Sequence, residues 1–176
     1  MENHPRVTEI LRRNAGVPSQ ILDDVKRFTN DKFSTPQAFT EGKKAILLTR
    51  HKGKFLSMCP GLTDSAVCCN YRTINLIMGC NFDCSYCFLQ AYLNNPIITF
   101  YVNLEDMFDE LTALLNNHPD HPFRFGTGEF TDSLSMDCVL GVNEKLVDFF
   151  SKTANAVLEL KTKSIRVDTL LNLDHK

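Results

Sequence analysis

A strand signal, a polar loop and a helical signal follow one another three times between residues 72 and 176, and this rhythm narrows the fold more than any other feature. The first strand, "RTINLIMGC", is apolar and β-branched and stops at Gly79; "YCFLQAYLN" follows at helical spacing and ends near Pro96. "IITFYVN" reads as a short strand, after which Asn103 caps "LEDMFDELTALLNN", with Met107, Phe108, Leu111, Leu114 and Leu115 at helical intervals. The second round is "FRFGTG", a loop, and the helix "NEKLVDFFSKT", whose apolar positions are Leu146, Val147, Phe149 and Phe150. The third is "AVLELKTKS", with "VDTLLNLDHK" as the opening of one more helix. Such alternation predicts an α/β fold around a parallel sheet, in which chemistry gathers on loops after the strands' C-terminal ends. Three units cannot close a barrel and would leave the third strand as an open apolar edge, so the chain reads as part of a larger barrel.

The preceding residues have a different character. "VTEILRRNAG" reads as a helix with Gly16 as its C-cap, and "SQILDDVKRF" as a second with Ser19 as N-cap. "KKAILLTRHKGKFLSMCPG" reads as two short strands around the turn "HKGK". The expected organisation is a helical lead-in over 1–42, a small β element over 43–71, and the βα units over 72–176. Lys43, Lys44, Arg50, His51, Lys52 and Lys54 cluster around the turn, as a solvated hairpin tip or a phosphate contact. A net charge of −2 argues against a domain-wide basic face for nucleic acid.

The N-terminus is polar and lacks the apolar core of a secretory signal, and no apolar run is long enough to cross a bilayer, so a cytoplasmic location without membrane contact is expected. Seven cysteines would remain reduced there, which turns clustered thiols into metal ligands or reactive groups.

Three of them lie within eight residues, Cys80, Cys84 and Cys87 in "CNFDCSYC". A 4Fe–4S cube normally takes one thiolate at each of its four irons, so three leave one iron open to a small molecule. Tyr86, beside the last cysteine, is placed to cover one face of whatever binds. The alternative is zinc, with a fourth ligand from Cys59, Cys68, Cys69 or a histidine; otherwise these three cysteines read as packed thiols, and Tyr71 and Tyr92 as core aromatics. "GTGE", Gly126 to Glu129, ends the second strand: its glycines permit close backbone approach and its carboxylate can accept a bond from an ammonium. Lys163 ends the third strand, as a solvated lysine or as the partner of a carboxylate.

The CxxxCxxC pattern with an aromatic before its last cysteine resembles the cluster loop of radical S-adenosylmethionine (SAM) enzymes. The resemblance implies a partial (β/α) TIM-like barrel, of which this chain would hold about the first three units, with SAM chelated at the open iron. It also implies a reductant such as flavodoxin or ferredoxin, and a 5′-deoxyadenosyl radical that abstracts hydrogen from substrate. "GTGE" resembles the superfamily's glycine-rich motif. A closer resemblance, to the spore photoproduct lyase family, rests on "CPG", "CCNY", the cysteine loop, a following Leu89-Gln90, "RFGTGEFTDSLSMD" and "LKTKSIRVD". It covers about residues 45–176 and implies repair of a thymine dimer in DNA. By the same resemblance Lys163 falls where the family binds the SAM carboxylate, Thr131 where it carries a serine near the cofactor, and Tyr86 within the catalytic loop. Two positions depart from the pattern: Glu129 stands where proven lyases carry a hydrogen-donating cysteine, and Phe88 where they carry a tyrosine. Cys138 lies nine residues beyond Glu129.

Overall fold

The structure, a computed structural model, describes residues 3–32, 40–59, 61, 67 and 69–175. Seven strands form two sheets. In the first, β1 (Ile46–Thr49) runs parallel to β5 (Ile98–Tyr101), and β5 pairs antiparallel with β4 (Ile77–Met78). In the second, β2 (Leu56–Met58) pairs antiparallel with β3 (Tyr71–Ile74), and β3, β6 (Phe123–Gly126) and β7 (Ala156–Glu159) are parallel neighbours in that order. The three strands read from the βα rhythm therefore do lie side by side in one parallel sheet.

The segment "RTINLIM" is not one strand. Asn75 N donates to Phe55 O (2.9 Å) on the β2 side, whereas Leu76 O accepts from Tyr101 N (3.1 Å) on the β5 side. A tight bond from Leu76 N to Ile74 O (3.2 Å) turns the backbone between them. One run of chain thus serves both sheets, and Ile74, Leu76 and Ile77 are all buried at the crossing.

The strands around "HKGK" are present, but they do not form a hairpin, since each pairs elsewhere. A buried Asn103 holds the turn instead: its Oδ1 accepts from His51 N (2.7 Å) and its Nδ2 donates to His51 O (3.1 Å).

Helix α1 (Pro5–Arg13) starts at His4, whose ring accepts from Arg6 N. Helix α2 (Val25–Lys32) starts later than Ser19, because Asp24 caps it: Asp24 Oδ1 accepts from Arg27 N (3.0 Å). Helix α3 (Leu89–Tyr92) is a single turn. Helix α4 (Leu104–Asn117) has the predicted bounds and buries Leu104, Met107, Leu111 and Leu115, worth about 1.5–3 kcal/mol for each fully buried side chain. Helices α5 (Asp137–Leu140) and α6 (Asn143–Ser151) follow, α6 packing Leu146, Val147 and Phe150 inward. The last expected helix is absent. Residues 168–172 form turns closed by i to i+3 bonds, Leu170 N to Val167 O and Leu173 N to Leu170 O, and Leu171 is exposed. Leu170 and Leu173 are only half-buried, too little packing to carry a short helix.

Candidate functional site

Three loops converge and are tied to one another, although the strands before them do not share one sheet. Strand β4 lies in the first sheet, so the cysteine loop does not follow a member of the parallel trio as the βα rhythm predicts. The cysteine loop follows β4, the glycine loop follows β6, and residues 160–164 follow β7. Gly79 N donates to Phe130 O (3.0 Å), joining the first loop to the second. Ser133 N donates to Lys161 O (3.0 Å) and Ser133 Oγ accepts from Lys161 N (3.1 Å), joining the second to the third.

Gly79 makes the exit from β4 possible. Its φ of +98° is left-handed backbone that side chains disfavour, and a Cβ there would stand 3.3 Å from Ile98 Cα. Beyond it the cysteine loop closes on itself through Cys87 N to Cys84 O (2.9 Å). Gln90 Nε2 donates to Cys84 O (2.7 Å), so the first turn of α3 supports the loop. Lys43 clips it from outside, donating to Phe82 O (3.1 Å) and pairing with Asp83. The lysine expected at a solvated tip thus points inward against the cysteines. Of its neighbours, Lys44 pairs with Glu41 (2.7 Å) and Arg50 with Asp106 (3.2 Å).

Cys80, Cys84 and Cys87 are all half-buried. Burial pushes the Cys80 thiol up, and the backbone amides of Phe82 and Asp132 act in the opposite direction without reversing it. In the metal-free chain Cys80 is therefore expected to alkylate after the exposed Cys69 and Cys138, with its lag shrinking as pH rises toward its thiol pKa. Peptide mapping after brief iodoacetamide treatment checks this, and early labelling of Cys80 would contradict it. Cys59 is half-buried and Cys69 exposed, so neither is the packed thiol expected; Cys68 lies outside the described residues. Among the described residues no three His, Cys, Asp or Glu side chains are arranged to hold a metal ion. A zinc site needs its ligands drawn to one centre, whereas a cube takes each thiolate at a separate iron.

In the glycine loop, the room left at Gly126 is filled by the Tyr71 ring, whose hydroxyl lies 1.5 Å from where a Cβ would stand. Gly128 packs toward Ser133 Oγ and Lys161. Thr127 is buried and donates to Ser133 Oγ (2.9 Å). Thr131 is buried, with its hydroxyl on Asp132 O (3.4 Å). Glu129 Oε2 is buried without a hydrogen-bond partner among the described residues. An ionised oxygen left so is costly, and a cationic donor would relieve it.

Strand β7 ends at Glu159, so Lys163 sits four residues past the strand, not at its last position. Its ammonium lies 5.7 Å from the centre of the Tyr86 ring, and the Tyr86 hydroxyl raises the Lys163 pKa, with smaller contributions from Cys84 and Asp132. Tyr86 is exposed, as are Phe88 and Tyr92. Tyr92 is not a core residue: it stacks on Phe130 (6.0 Å between centres) and meets Phe88 edge-on (5.7 Å). Tyr71 is half-buried beneath the Lys161 ammonium (4.5 Å) and the Arg124 guanidinium (5.3 Å). Its hydroxyl is pushed up by burial.

Asp132 was not legible as a site residue. It is buried, with its carboxylate between the glycine loop and the segment after β7, accepting from Leu134 N, Ser135 N, Thr162 Oγ1 and Lys163 N. The one available signal was an aspartate just ahead of the apolar run "LSMDCVL", where such residues take up free backbone amides.

Among the described residues no helix is long and apolar enough to cross a membrane. Residues 60–176 match the family model described as spore photoproduct lyase. The spore photoproduct lyase of Geobacillus sp. (strain Y412MC61) is 32% identical over 103 residues, 58% of this chain and 30% of that protein. That of Bacillus subtilis (strain 168) is 28% identical over 98 residues, 55% of this chain and 29% of that protein. Solved structures titled spore photoproduct lyase share the fold. One, a double mutant with bound AdoMet and dinucleoside spore photoproduct, has a TM-score of 0.74 at 21% identity, over 97% of this chain and 49% of that one. Another, complexed with dinucleoside spore photoproduct, gives the same values. The matched region spans about 30% of the length of the curated relatives and about half of the solved chains.

Proposed function

Because this chain belongs to the spore photoproduct lyase family, we propose that it carries the cofactor-binding half of a radical SAM enzyme of the lyase type. Cys80, Cys84 and Cys87 hold a 4Fe–4S cluster by three thiolates, leaving one iron for SAM. The architecture is then the first three units of a partial (β/α) barrel, with the helical region 1–42 and strands of 43–71 ahead of it. Bound together, cluster and SAM supply one-electron cleavage of the sulfonium and a radical able to abstract hydrogen.

The residues of this chain suit that role. The observation that carries the proposal is the meeting of the cysteine loop, launched from β4 of the first sheet, with Glu129 and Lys163 on the loops after β6 and β7 of the second. They meet through Gly79 N on Phe130 O and Lys163 against the Tyr86 ring. The orphaned Glu129 Oε2 accepts a bond from the SAM ammonium. Lys163, now 5.7 Å from the centre of the Tyr86 ring, would pair with the SAM carboxylate, and the exposed Tyr86 ring would supply an apolar cover. Thr127 and Thr131, both buried, hold the glycine loop in shape, while Gly126 and Gly128 let it pack closely on Tyr71, Ser133 and Lys161. A reduced, cytoplasmic setting with a flavodoxin or ferredoxin as electron source completes the reading.

The proposed substrate is a thymine-dimer lesion in DNA, the class named by the relatives. A second reading, radical chemistry on a different substrate, is favoured by Glu129 and Phe88, neither of which can donate a hydrogen atom as a thiol or phenol does. Anaerobic reconstitution is expected to give a brown protein with about four irons and four sulfides per chain, which releases 5′-deoxyadenosine from SAM on reduction. A colourless protein with one zinc would overturn the cofactor assignment. Turnover of DNA carrying spore photoproduct separates the two substrate readings.

A further inference from the structure

We propose that Asp132 is a positioning residue that fixes the Lys163 segment against the cysteine loop. Strand β7 ends at Glu159, so no sheet ladder holds residues 160–164, and Lys161, Thr162 and Lys163 are all exposed. Their order comes from the glycine loop. Asp132 Oδ2 accepts from Lys163 N (2.6 Å) and Oδ1 from Thr162 Oγ1 (2.7 Å). The same Oδ1 accepts from Leu134 N (3.0 Å) and Ser135 N (2.9 Å), which anchors the carboxylate to its own loop. Ser133 holds Lys161 from both sides of its peptide, so the grip is continuous over 161–163. The residue is 8% exposed, so its four hydrogen bonds are shielded from water.

The division of labour between the two oxygens is the useful feature. One binds the loop and Thr162; the other binds the Lys163 backbone. The carboxylate thereby sets where the Lys163 side chain starts, while its ammonium remains free to move between Tyr86 and a ligand. The part of this inference that concerns the cofactor rests on the function proposed above. The part that concerns the backbone does not.

Asp132→Asn tests both. With the amide oxygen kept at Oδ1 three bonds survive, and an NH2 group faces the Lys163 N–H; the flipped amide loses three bonds to keep one. In the metal-free protein, amide exchange at Lys163 is expected to quicken by about tenfold, with the exchange of β6 and α4 unchanged. In the reconstituted protein, the KM for SAM is expected to rise by about tenfold, with kcat for 5′-deoxyadenosine release at saturating SAM and the iron content both held within about twofold. Unchanged exchange at Lys163, or a rise spread over the whole chain, would overturn the proposal, as would an unaltered KM in a wild-type protein that does bind SAM. A wild-type protein that binds no SAM would defeat the functional reading and leave the exchange result to decide this one. Should Asp132→Asn fail to fold, Thr162→Val removes the strap to Asp132 along with the bond Thr162 Oγ1 accepts from Ser164 N (2.8 Å). Ser164→Pro, which removes the latter but not the strap, is the control. Exchange at Lys163 is expected to quicken by about threefold in Thr162→Val beyond that control, and a flat result there counts against the proposal.

Discussion

Alanine at Cys80, Cys84 or Cys87 is expected to strip the reconstituted protein of nearly all its iron and sulfide, each substitution alone being sufficient. A cube held by three thiolates already lacks one protein ligand, and removing another leaves two irons exposed to solvent and chelators. The three positions also share a single short loop closed by one internal bond, Cys87 N to Cys84 O, so no flanking strand substitutes for the missing anchor. Cys138→Ala is the control: Cys138 is exposed on α5, whose neighbours Val139 and Leu140 are bound by Asn14 and Arg6 of the α1 region. Iron and sulfide analysis together with the brown colour of the cluster reads the result. Full iron retention in all three cluster variants, or its loss in Cys138→Ala, would reject the ligand assignment.

Gly79→Ala is expected to cost roughly 1–3 kcal/mol of stability from backbone strain alone. The residue has φ +98°, and the new methyl would press on Ile98 Cα at 3.3 Å, an atom of the central strand of its sheet that cannot rotate away. At this chain length such a cost lowers the melting temperature by about 2–12 °C. The functional consequence is larger than the thermal one. Relief of the strain must reorient the peptide that donates to Phe130 O and launches the cysteine loop, so iron loading should fall well before the protein unfolds. A variant that keeps both its melting temperature and its iron would show that the loop's path does not depend on this glycine.

The parts of the molecule that were legible in the sequence are those fixed by local rules. Helix α4 was readable because Met107, Leu111 and Leu115 repeat at helical spacing, and the parallel trio β3, β6 and β7 because each apolar run ends before a polar loop. The cysteine loop stood out because its three thiols fall within eight residues. What escaped was decided by partners distant in sequence. Nothing local says that Asn75 and Leu76 turn to opposite neighbours, or that β1 pairs with β5 across fifty residues instead of with β2 next to it. Lys43 looked like one cation among six; only the fold brings it to Phe82 and Asp83. Asp132 drew no reading of its own because its partners Thr162 and Lys163 lie thirty residues on. The last helix was over-read from leucines at plausible intervals, of which Leu171 is exposed and Leu170 and Leu173 are only half-buried.

The family match begins at residue 60, yet β1, β2 and Lys43 all precede it. A piece excised at that boundary would strip β5 and β3 of a neighbour each, empty the space of the fully buried Phe55, and unfasten the cysteine loop from its outer clip. Two raw sheet margins would then face solvent, inviting stray pairing between molecules. Homology therefore marks where ancestry is recognisable, and the hydrogen-bond ladder marks where a biochemist can safely cut.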